Sequence, residues 1–174
     1  MMGAGKSSVG ACLCRRTGLG LLDTDAMVAS NFGMSIPEIF AKHGEKKFRE
    51  VETEALRSVR TEEQTIIITG GGIVLRKENV EILEKQAAIV WLDANEETLF
   101  ARASRKQNRP LLQTKDPKKT FSQILGARRP LYATIANIRI DTSVLTDEEV
   151  AVAILAKLRR MNPKPESPIP AKAS

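Results

Sequence analysis

The residues of this chain best spaced to do chemistry stand at its start, in MMGAGKSSVG. In the phosphate-loop pattern G-x-x-x-x-G-K-[ST], the closing glycine, lysine and hydroxyl are Gly5, Lys6 and Ser7. The first glycine of that pattern would fall one position before Met1. A glycine-rich loop turns backbone N–H groups inward, where with a helix N-terminus they cradle phosphates. Lys6 would then reach the β- and γ-phosphates, and the Ser7 hydroxyl would ligate Mg²⁺. The alternative is a flexible glycine-rich terminus. The helical pattern of residues 9–13, directly behind the lysine, favours the phosphate loop.

Four further constellations could cooperate with it. In LLDTD, Asp23 and Asp25 follow a short apolar run, at the strand end where α/β sheets bind ligands. One could hold Mg²⁺ through water and the other could take the proton of an attacking hydroxyl, or either could simply cap a helix. Asp93, ending IVWLD, is a rival metal candidate, but Asp93 or Asn95 makes a good cap for EETLFAR. In FREVE, Arg49 and Glu52 are three apart and share a helix face, as a surface ion pair or as an arginine held for an anion. Thr69 precedes three consecutive glycines, Gly70, Gly71 and Gly72, which suit close approach of a ligand to bare backbone or a loose turn. RASRKQNRPLL and ARRPLY supply Arg102, Arg105, Arg109, Arg128 and Arg129, able to meet phosphate or carboxylate groups or to stay solvated. His43, the single histidine, has no nucleophile or ligand partner at suitable spacing and reads as a capping or surface residue.

Short apolar runs alternating with amphipathic stretches predict an α/β fold with a parallel sheet. Strands are expected at 19–22, 65–69, 88–92 and 138–140, and helices at 6–17, 35–42, 45–60, 78–85, 95–105, 118–136 and 147–161. The sixth helix should kink or break near Pro130. Thr146 to Glu149 fits a capping box, and Gly18 and Gly44 fit helix C-termini. Residues 106–119, basic and containing two prolines, read as an exposed loop or lid, and the proline-rich tail 162–174 as disordered. One domain over residues 1–161 accounts for the rest. Cys12 and Cys14, two apart on a helix, are expected to be buried or half-buried spectators. The net charge of +6 favours anionic partners. With 4% aromatics and scattered charge, nucleic acid is not expected. Without a membrane-length apolar run or a leader pattern, no membrane partner is expected and the expected address is the cytoplasm.

Taken in order, GAGKSSVG, LLDTD, GEKKFREVE, TGGG, RASRKQNRPLL and RRPLY resemble shikimate kinase, from Met1 to about residue 158. The resemblance implies a three-layer α/β/α P-loop kinase fold, related to the nucleoside monophosphate kinases, with a parallel sheet in order 2-3-1-4-5. It implies ATP-dependent phosphorylation of the shikimate 3-hydroxyl, with Mg²⁺ as cofactor and the protein acting as a monomer. Gly3, Ala4, Gly5, Lys6, Ser7 and Ser8 would bind the ATP phosphates, and Ser7 and Asp23 would serve the metal. Asp25 would bind the substrate hydroxyls and act as base. Arg49 and Arg128 would grip the substrate carboxylate, with Glu52 in support and Gly70, Gly71 and Gly72 presenting backbone donors. Arg109 would close onto phosphates, and Arg105 would lie near the adenine. The first sheet strand and the first loop glycine have no counterpart here. The natural start is therefore expected about ten residues earlier, one strand plus a glycine. A gluconate-type kinase and a non-catalytic kinase-derived binding domain are the competing readings.

Overall fold

The computed structural model describes residues 1–59, 64–105 and 109–161. The expected tail and the first residues of the expected lid (106–108) lie outside the described residues. The chain runs α1 (Lys6–Thr17), β1 (Gly20–Asp23), α2 (Thr24–Phe32), α3 (Ile36–Ser58) and β2 (Thr65–Ile68). It continues with α4 (Lys77–Gln86), β3 (Val90–Asp93), α5 (Glu96–Ser104), α6 (Pro117–Ile135), β4 (Ile138–Asp141) and α7 (Asp147–Met161), with 3₁₀ turns at Ile73–Leu75 and Pro110–Leu112. Within the described part of the expected lid, Pro110–Leu112 form the short turn and α6 begins at Pro117.

The strands form two parallel pairs, Gly20 opposite Thr65 through Asp23 opposite Ile68, and Val90 opposite Ile138 through Asp93 opposite Asp141. These are the outer pairs of the expected 2-3-1-4-5 order, and among the described residues no strand joins them. The phosphate-loop segment spans the gap at their C-terminal ends. Met1 lies against Gly71 beyond β2, while Gly3 lies against Leu99 of α5 beyond β3.

Local chemistry explains most boundaries. Gly18 ends α1 at φ 73°, a left-handed position that costs glycine little, and its N–H closes onto the Cys14 carbonyl. Ser35 and Glu38 form a capping box on α3, helped by Pro37 at the helix start. Gly44, at φ 75° and ψ 170°, breaks the helical path inside α3, so the two expected helices meet at a glycine kink. At the far end of the chain, Thr146 and Glu149 cap α7 as expected.

Two elements depart from the sequence expectation. No helix was expected at α2, whose TDAMVASNF carries several weak helix formers. Asp23 creates it by accepting from the Asp25 and Ala26 N–H groups at 2.9 and 3.4 Å, and burial of Val28 against α3 holds it. Conversely, α6 passes Pro130 without a break. Arg128, Arg129 and Tyr132 anchor it on both sides of the proline through bonds to Gly71, Ala94 and Asp93.

The main core gathers Val9, Leu56, Leu92, Leu99, Phe121 and Val150, tying α1, α3, α5, α6 and α7 to the β3–β4 pair. A smaller core of Val28, Ile39, Phe48, Val51 and Ala55 lies under the α2–α3 hairpin. The guanidinium of Arg49, next to Phe48 in the chain, lies 5.0 Å from the Phe48 ring centre.

Candidate active site

The glycine loop is shaped by neighbours as well as by any ligand. Gly3 and Gly5 adopt φ of 77° and 81°. A Cβ on Gly3 would lie 2.2 Å from the Leu99 carbonyl oxygen, so only glycine lets the loop pack on α5. Ala4 is buried, and Ser7 and Ser8 face solvent in the first turn of α1. No side chain caps that helix, which leaves its first N–H groups for an anion. Lys6 donates to the Met1 carbonyl at 2.9 Å. Burial pulls its ammonium down to about 8; Asp25 opposes the shift and Arg109 adds to it. Asp147, at the start of α7, brings a carboxylate beside Gly5; no sequence motif pointed to it.

Facing the loop is a cradle with both charge signs. Asp25 Oδ1 and Glu52 Oε1 are buried without a hydrogen-bond partner. A Cβ on Gly70 would sit 2.6 Å from the first and 2.8 Å from the second, so two hungry acceptors flank that glycine. Burial, reinforced by Asp23, raises the Asp25 pKa, with Lys6, Arg49 and Arg109 opposing. Burial likewise raises that of Glu52, against Arg49, whose Nη1 is 2.9 Å from Glu52 Oε2. Glu52 is fully buried and the Arg49 side chain is 11% exposed, so the FREVE pair is no surface ion pair.

Arg49 also donates from Nε and Nη2 to Glu45 at 3.2 and 2.8 Å. Its guanidinium lies flat against Gly72, where a Cβ would come within 2.3 Å of Nη2. The triglycine segment is thus no loose turn. It fits between Asp25, Glu52 and Arg49, and its Gly71 carbonyl accepts from both Arg128, at 3.1 Å, and the Tyr132 hydroxyl. Arg128 is buried.

The remaining candidates divide. Arg109 is partly buried, its Nε has no partner, and it shares an electrostatic field with Asp25. Arg105 is exposed at the end of α5, two residues past the Ala103 that packs on Gly3. Asp23 uses Oδ1 as the α2 cap, the bland role open to it from sequence. Asp93 does not cap α5. Asn95 is the cap, at 2.8 Å from the Thr98 N–H, while Asp93 is buried between Arg129 and Arg139 at 3.3 and 2.7 Å. Arg102 binds Thr142, and exposed His43 rests against Phe32. Cys12 and Cys14 are free, the first buried and the second half-buried.

A lysine-bearing glycine loop opposite buried carboxylates and arginines, over parallel strands, is the layout of a P-loop phosphotransferase. The family model for shikimate kinase matches residues 2–159. Shikimate kinase of Thermodesulfovibrio yellowstonii is 40% identical over 92% of this chain and 92% of its own length. That of Moorella thermoacetica is 43% identical over 91% and 88%. Among solved structures, shikimate kinase from Acinetobacter baumannii in complex with shikimate superposes with a TM-score of 0.89 at 34% identity, covering 94% of this chain and 91% of that one. The Aquifex aeolicus enzyme gives 0.79 at 33%, over 91% and 92%. This chain belongs to the shikimate kinase family, an ATP-using kinase family.

Proposed function

We propose that this protein transfers the γ-phosphoryl group of ATP to the 3-hydroxyl of shikimate, giving 3-phosphoshikimate and ADP. The observation that carries this reading is the pair of unpartnered buried oxygens, Asp25 Oδ1 and Glu52 Oε1, set beside Arg49 and open to the cations Lys6 and Arg109. A polyol acid supplies what each lacks: hydroxyl donors for the carboxylates and a carboxylate for Arg49 and Arg128. Asp25 holds the acceptor hydroxyl in line and takes its proton as the new O–P bond forms. Lys6 and Arg109 neutralise charge on the transferring oxygens, while the loop N–H groups hold the nucleotide phosphates. Gly70, Gly71 and Gly72 let the ring approach bare backbone.

The donors suit Mg²⁺: one exposed hydroxyl, Ser7, and one carboxylate, Asp23, both hard oxygens. Among the described residues no cluster of three acidic, histidine or cysteine ligands exists. That fits an ion held largely by nucleotide phosphates and water. Ser7 and Asp23 would hold the ion, which would supply positive charge against the nucleotide phosphates. The remainder of the reading is a monomer working in the cytoplasm. No helix among the described residues is long and apolar enough to cross a membrane.

The test is ADP release by the purified chain with Mg-ATP, without acceptor and with shikimate or gluconate. Release that depends on shikimate is expected. Release with gluconate instead would move the assignment to another small-molecule kinase. None with either, from a folded sample, would favour a binding domain.

A further inference from the structure

We infer that Arg76 is a positioning residue for the carboxylate grip, fixing the register of α3 against the triglycine segment. Arg76 lies where the 3₁₀ turn after the glycines meets α4. Its Nη1 donates across a sequence separation of 27 residues to the Arg49 main-chain carbonyl at 3.0 Å, and to Thr53 Oγ1 at 2.9 Å. Thr53 Oγ1 itself donates to that same Arg49 carbonyl at 2.9 Å. One guanidinium therefore grips the helical turn from which the Arg49 side chain departs.

That grip joins α3 to the segment just after the glycines, and both arginines proposed to hold the substrate acid touch those glycines. The Arg49 guanidinium packs on Gly72 with no room for a Cβ. Arg128 is bonded to the Gly71 carbonyl. Sliding α3 relative to the glycines would change the Arg49–Arg128 separation while leaving both side chains intact. Bidentate recognition of a carboxylate tolerates little such change. A second tie between α3 and α4, the Arg57–Glu78 ion pair, is exposed and touches neither Arg49 nor the glycines. It serves as the internal control.

The inference rests on the proposed reaction, and the test separates the two. Initial rates of wild type, R76M, E78Q, R49M and the R49M/R76M double variant are measured against shikimate and ATP, with melting curves. R76M should raise the KM for shikimate about tenfold, the scale of one lost charge-assisted hydrogen bond. Its KM for ATP should stay within about twofold, and E78Q should leave both constants near wild type. In the R49M background, R76M should add little, because the grip it positions is already gone. An unchanged KM in R76M, an equal rise in E78Q, or full additivity with R49M would overturn the assignment. If R76M does not fold, R76K keeps the cation but not the fork. It should still raise the shikimate KM selectively, and an unchanged or unselective KM would count against the idea. Wild type that turns over shikimate with R76M unaffected removes only this inference; wild type without turnover removes the reaction as well.

Discussion

Asp25, the proposed base, is held at a cost to the fold. Its carboxyl is buried, beside Asp23, with one oxygen unpartnered, and its pKa is raised above the ordinary value. A raised carboxyl pKa means that the charged form is disfavoured by folding, so the ionised group costs stability above that pKa and the cost fades as pH falls. Asp25→Asn should therefore lower turnover by about 10² to 10⁴, the span of general-base contributions. Nucleotide binding should stay near wild type, and the melting temperature at pH 7 should be equal or higher. A variant that loses ADP affinity as far as turnover would contradict the role. Gly72 makes the complementary case. Its φ of −98° is open to any residue, so alanine there meets no backbone strain. The added methyl would strike the Arg49 guanidinium, a movable group. Gly72→Ala should raise the shikimate KM about tenfold by displacing one charge-assisted contact, with melting little changed.

At the scale of elements, the proposed acceptor side depends on how α3 is bent. Gly44 combines φ 75° with ψ 170°, a region essentially closed to side-chain-bearing residues. Gly44→Ala should cost about 1–3 kcal/mol of stability and raise the shikimate KM, because the turn bearing Arg49 follows the bend directly. Equilibrium denaturation and steady-state kinetics on the same preparation check both. On the nucleotide side, α1 is tied to α7 through Glu148, which takes Arg16 and Arg15 at 2.7 Å each. Arg16 first, then Arg15, hold its carboxyl down to about 2. The sign of the linkage places that contribution above the ordinary glutamate pKa and removes it as pH falls toward 2. Because these groups are exposed, salt should weaken the tie, and Glu148→Gln should leave melting at pH 7 nearly unchanged.

For the molecule as a whole, the pH dependence should carry both sides of the cleft. Lys6, pulled to about 8 by burial, loses its charge as pH rises through that value. kcat/KM for ATP should fall there, while kcat/KM for shikimate should fall on the acid side at a pH above the ordinary aspartate range, as Asp25 is protonated. Lys6→Ala should bind nucleotide weakly and lose the alkaline limb, and a limb that persists in that variant would assign it elsewhere. The net charge of +6 favours encounter with anionic substrates, so kcat/KM should decline with ionic strength.

Periodicity and turn chemistry are local, and what they govern was legible in the sequence. The limits of α1 and α7, the glycine at the α3 bend, the four strands and the order of the motifs could all be read from neighbouring residues. The motifs also pointed to Asp25, Arg49, Glu52 and Arg128 as candidates. α2 escaped because its residues are weak helix formers, stabilised by an aspartate cap and by burial against α3. Pro130 misled because anchors far away in sequence hold α6 through it. Burial and long-range contact lie beyond any local pattern. Only the tertiary structure could decide that the Arg49–Glu52 pair is buried, that Asp93 belongs to two arginines, and that Gly70 lies between two unpartnered carboxylate oxygens. Arg76 belongs with these: its partners are set by how α3 packs beside the glycines, and no spacing along the chain encodes that.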